Sequence, residues 1–174
     1  MAEKLDLDDR IYSLQSKEAF VTLKDHKDNF VNNTKCRLLN PAKSDLGKVS
    51  KKILARVVTD SSEKTKMQSW KNTHSVIEWF KELKNKQKLS FLQFDICEFY
   101  PSITKQVLVN ALNYAKNITK ITKQEIDIIL QTKSGILFTR DQAWVKKGNQ
   151  SFDITMGSWD GAEVCDLVGL YMLA

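Results

Sequence analysis

The 174-residue chain predicts an α+β fold on three observations. Short β-branched runs lie between turn residues, longer stretches carry apolar residues at helical spacing, and the composition is rich enough to build a core. Hydrophobic residues make up 42% and charged residues 28%, with only six Gly and two Pro, which excludes collagen-like, low-complexity and disordered classes. The length suits one domain.

In chain order, residues 19–23 (Ala-Phe-Val-Thr-Leu) and 36–40 (Cys-Arg-Leu-Leu-Asn) are short runs separated by a polar, Asn-rich connection, so they predict an irregular hairpin with Lys24, Lys35 and Arg37 near its strand ends. From Ser44 to about Trp70, Leu46, Val49, Ile53, Leu54, Val57 and Val58 recur at helical spacing with Ser44 as N-cap; Lys48, Lys51, Lys52 and Arg56 fall mainly on the other faces. A second helix is expected over 73–84, with Val76, Ile77, Phe80 and Leu83 inward and lysines gathering where the dipole favours cations. Residues 89–96 (Leu-Ser-Phe-Leu-Gln-Phe-Asp-Ile) are apolar nearly throughout and predict a strand buried on both faces that delivers Asp95 at its end. Pro101 opens an amphipathic helix through Ile103, Val107, Leu108, Ala111 and Leu112. Another runs from Thr122 to about Thr132 with Gly135 as its C-cap. Residues 136–138 and 143–145 flank Thr-Arg-Asp-Gln as a second hairpin, and 157–160 lead into a final helix. Asp160, Glu163 and Asp166 recur every three residues on that helix and read as a solvated acidic face.

Charge is unevenly placed. Residues 24–88 hold 16 Lys/Arg against 7 Asp/Glu, a net of +9, whereas residues 1–23 carry −2 and residues 89–174 carry −1. A concentrated positive surface favours polyanions because each neutralised phosphate releases a counterion, although a solvated lysine-rich helix face has the same composition. Cys36, Cys97 and Cys165 are widely spaced and the chain has only two histidines. This argues against a disulfide framework or a zinc site and reads as reduced thiols in or near the core. No apolar run approaches a membrane span and none leads the acidic N-terminus, so the expected setting is intracellular, cytoplasmic or nuclear, and not secreted. Gly47-Lys48 is no phosphate loop: Ala42 stands where the first Gly belongs, and Val49 where Ser or Thr should follow the Lys.

The densest chemical signal is Phe94-Asp95-Ile96-Cys97-Glu98-Phe99-Tyr100-Pro101-Ser102-Ile103. A strand-end aspartate is held rigidly and can offer oxygens to divalent ions, with the Ile96 carbonyl as a further ligand. Taken alone, such an Asp serves equally as a turn or cap residue, Tyr100 as a core aromatic, and Lys24 and Arg37 as solvated strand-end cations.

This stretch resembles motif A of reverse transcriptases. Leu23-Lys24-Asp25-His26-Lys27 resembles the Pro-Lys-x-His-Lys element of Penelope-like enzymes without its Pro, Cys36-Arg37-Leu38-Leu39-Asn40-Pro41 is similar to the fingers segment that follows, and Met156-Gly157-Ser158 before a helix resembles motif B. Phe-Tyr-Pro-Ser-Ile is equally similar to retron and group II intron enzymes.

The resemblance implies a right-hand polymerase, with an N-terminal lead-in over 1–18, basic fingers over 19–88 and a partial palm over 89–174, its antiparallel sheet covered by helices. It implies RNA-templated DNA synthesis by two-metal nucleotidyl transfer, with an RNA template, a DNA primer, dNTP and Mg²⁺ or Mn²⁺. Asp95 and Ile96 would hold metal, and Lys24, Arg37, Tyr100 and Gly157 would bind nucleotide. Lys35, Lys48, Lys51, Lys52 and Arg56 would contact nucleic acid. The motif B glycine follows Met156 instead of Gln, and no Tyr-x-Asp-Asp occurs through Ala174, so the resemblance also implies a metal site incomplete in this chain and no polymerisation by it alone. A non-catalytic nucleic-acid-binding module and an inactive retroelement remnant are the competing expectations.

Overall fold

A computed structural model describes residues 18–25, 30–41, 44–67, 70, 72–135, 137–140, 142–144 and 151–174, with backbone alone for 138, 139 and 143. The expected lead-in up to residue 17, His26 and Ala42 lie outside the described residues.

Both expected hairpins form. Strand β1 (Phe20–Leu23) pairs antiparallel with β2 (Cys36–Leu39), Thr22 opposite Arg37. Helix α1 (Asp45–Thr65) starts where Ser44 Oγ accepts the Gly47 N–H at 3.0 Å, and it ends at Lys66 in the left-handed conformation. Helix α2 (Thr73–Glu82) is capped by Asn72 and followed by a short 3₁₀ turn (Lys86–Lys88). The helix expected from Pro101 is split in two: Pro101 sits inside the single turn α3 (Phe99–Ser102), and α4 (Lys105–Ile118) begins afresh with Thr104 as N-cap. Helix α5 (Lys123–Gln131) has a reciprocal capping box between Thr122 and Glu125. Its end is not capped by Gly135, whose N–H bonds to Ser151 instead. Strand β3 (Leu137–Thr139) pairs antiparallel with β4 (Gln142–Trp144), and α6 (Gly161–Leu173) closes the described chain.

The core is helical. Leu54 and Val57 of α1, Leu108, Ala111, Leu112 and Ala115 of α4, Ile129 of α5, and Val164, Leu167 and Val168 of α6 are fully buried and form one cluster. Helix α6 packs against both α1 and α4, and α5 packs against α1.

Among the described residues no antiparallel palm sheet is seen. Among the described residues the strands make two separate two-stranded ribbons, supplemented by isolated bridges between Leu39 and Met156 and between Ser134 and Phe152. Residues 89–96, expected as a central strand buried on both faces, have no strand partner, and Leu92 and Phe94 are 84% and 85% exposed. A strand is stabilised by neighbours that take its N–H and C=O groups, and a continuous apolar run is buried only where layers cover both faces. Without such partners, only part of this run is covered: Phe91 packs on Trp79 and Phe80 of α2, which itself buries no residue fully. Helix α4, expected on a sheet face, packs on helices instead.

Candidate functional site

A groove of about 950 Å³ lies between the two hairpins. One wall is the β1–β2 ribbon with Lys24, Cys36 and Arg37. Across from it lie Glu98 and Pro101 at the α3 turn, Met156 before α6, and Leu137, Arg140 and Trp144 of the β3–β4 ribbon. The groove is of mixed charge: Glu18, Glu98 and Asp153 line it beside the three cations. Neither Lys24 nor Arg37 nor Arg140 has an ion-pair partner among the described residues.

Gly157 holds this arrangement together at its base. Asn40 N–H donates to the Met156 carbonyl at 3.0 Å, which brings the end of β2 against the turn before α6. Gly157 has φ +98°, and a Cβ there would stand 2.9 Å from the Asn40 carbonyl oxygen. Both the conformation and the close approach therefore demand glycine. Here it serves the chain's own packing.

The other expected site residues fall in different places. Asp95 and Ile96 are exposed on the unpaired 89–96 segment and do not line the groove. Tyr100 does not line it either. Its half-buried ring packs on α6, where a Cβ on Gly161 would come within 3.2 Å of it, and Cys165 is its neighbour there. Burial, followed by the neighbouring Cys165, raises the Tyr100 phenol above its ordinary value; burial also pushes the Cys165 thiol up to about 11. Cys36 and Cys97, expected in or near the core, are exposed, because each sits on an element covered on one side at most.

The cations assigned to nucleic acid are divided between two uses. Lys51 reaches Glu163 at 3.2 Å, Arg56 donates to Glu125 at 2.7 Å and to the Lys120 carbonyl at 2.7 Å, and Lys48 pairs with Asp45 at 3.0 Å while lying over the Trp159 ring. These three tie α1 to its surroundings. Lys35 and Lys52 are exposed and outside the groove.

The expected acidic face of α6 is not solvated at its start. Asp160 and Lys133 are 1% and 2% exposed and form a buried ion pair. Ser50 Oγ and Thr132 Oγ1 donate to the other carboxylate oxygen, so both oxygens are satisfied. Burial pulls the Lys133 ammonium below its ordinary value, and Asp160 opposes that pull. A smaller cavity of about 210 Å³ opens beside the pair.

Sequence reasoning missed Arg140, Trp144 and the Lys133–Asp160 pair. The first two had a usable signal, a cation in the turn of an expected hairpin and an aromatic on its second strand. The pair had none, because nothing in a linear pattern says that Lys133 turns inward.

No family model, curated protein or solved structure matches this chain. Among the described residues, no group of three or more His, Cys, Asp and Glu side chains is placed to hold a metal ion. A magnesium ion asks for near-octahedral oxygen ligation, and an exposed Asp95 with one backbone carbonyl does not fit that demand. Nor is any described helix long and apolar enough to cross a membrane.

Proposed function

We propose that this chain is a reverse-transcriptase-like unit that binds nucleic acid in the groove between its hairpins, without carrying out synthesis by itself. The observation that supports this reading is convergence. Lys24 and Arg37 from the fingers-like segments, Pro101 from the motif A-like stretch and Met156 from the motif B-like turn are far apart in sequence yet line one groove. Lys24 and Arg37 have no ion-pair partner among the described residues, and an Arg fork with a mobile Lys suits phosphate oxygens.

Fluorescence anisotropy with labelled RNA across a salt series tests it. The expected result is weak, salt-sensitive binding whose log–log slope flattens by about one to two units in the Lys24→Ala, Arg37→Ala double variant. Primer extension on an RNA template with Mg²⁺ or Mn²⁺ is expected to give no incorporation. Absence of binding at low salt would refute the reading, and a slope unchanged by the double variant would show that the groove cations do not touch phosphate.

A further inference from the structure

The β3–β4 ribbon contributes two groups to the groove that none of the family-like segments contains. Arg140 sits at its tip with φ +49°, a left-handed conformation uncommon for a residue with a side chain. Trp144 lies opposite Leu137 in the ladder and is 53% exposed. Trp70 and Trp79 meet in a tilted ring contact, and Trp159 lies under Lys48, whereas Trp144 has no ring contact among the described residues and opens onto the groove.

The charge balance limits what such a groove can hold. Three cations face three carboxylates, so phosphate attraction alone is weak. A duplex presents about one charge per 1.7 Å with its bases hidden, while a single strand carries fewer charges per length and offers its base faces. An exposed indole on the same groove as these unpaired cations supplies the missing free energy by stacking, which is tolerant of sequence.

We infer that the β3–β4 ribbon is a single-strand contact, with Trp144 stacking on an unpaired base and Arg140 holding a neighbouring phosphate. The inference rests on the proposed reading of the groove and adds to it which strand form binds and which residues select it.

Titration of the full chain with labelled oligo(U), oligo(dT) and a blunt duplex of the same length tests it. Single strands of either sugar are expected to bind more tightly than the duplex and to quench tryptophan emission. Trp144→Ala should weaken single-strand binding about tenfold, within the range of about fivefold to a hundredfold for one stacked base, while Trp144→Phe retains most of the affinity and loses part of the quench. Arg140→Gln should flatten the single-strand salt slope by about 0.7. Wild-type affinity in Trp144→Ala and Arg140→Gln, alongside lost binding in the Lys24→Ala, Arg37→Ala variant, would overturn this inference and leave the groove reading intact. Tighter binding of duplex than of single strands would also overturn it. If the wild-type chain binds none of the probes, the groove reading falls first.

Discussion

Asp160 joins three elements at one carboxylate: Ser50 from α1, Thr132 and Lys133 from the turn after α5, and the first residues of α6. Taking both charges out of water costs several kcal/mol per ion, which the pair's attraction and the two hydroxyl donors offset. Its place at the head of α6 adds a favourable dipole interaction. Asp160→Ala is therefore expected to lower unfolding free energy in urea by about 3–5 kcal/mol, since it leaves Lys133 buried without its counter-charge. The double replacement Asp160→Leu, Lys133→Met should cost far less. Equal losses in the two variants would mean that the site matters for packing and not for charge. The spacing of Asp160, Glu163 and Asp166 showed which residues share a face of the helix but not which face turns inward, because periodicity has no knowledge of the partner helix.

At the element scale, the N-terminus of α5 couples local capping to tertiary contact. Glu125 accepts the Thr122 N–H at 2.8 Å and also receives Arg56 from α1. The Thr122 backbone N–H, with help from its hydroxyl and from Arg56, holds the Glu125 carboxyl below the usual carboxylate range. For a carboxyl lowered by folding, the stabilisation is complete above the unfolded value of about 4.3 and is lost as pH falls through the lower folded value. Glu125→Gln is thus expected to cost about 1 kcal/mol or less at pH 7, and the difference from wild type should close in acid. Chemical denaturation at a series of pH values checks this. A difference that stays constant down to pH 3 would place the effect in shape and not in charge. Arg56, expected on nucleic acid, is held in this contact, so its replacement should register in stability before it registers in binding. The helices themselves were legible, with α1 beginning at the Ser44 cap and α4 and α5 following their apolar spacing, because capping and amphipathicity act over a few residues.

At the scale of the whole molecule, stability resides in the α1, α4, α5 and α6 cluster, and the 89–96 segment stands outside it. Leu112→Ala is expected to cost about 2–5 kcal/mol, and Phe94→Ser less than about 1 kcal/mol, in thermal or urea unfolding. A loss of several kcal/mol in Phe94→Ser would show that the segment is covered in solution, as its composition suggests. The sequence by itself determined the α+β class, both hairpins, the Ser44 cap, and the apolar spacing of α1, α4 and α5. Each of these follows from backbone preferences and short-range periodicity. Only the tertiary structure decided which cations remain unpaired, that Asp160 and Lys133 lie inside, that Tyr100 turns toward α6 and away from the groove, and that Arg140 and Trp144 join Lys24 and Arg37. It also decided that residues 89–96 stay largely uncovered, because an apolar run becomes a buried strand only when other parts of a fold supply its hydrogen bonds and cover its faces.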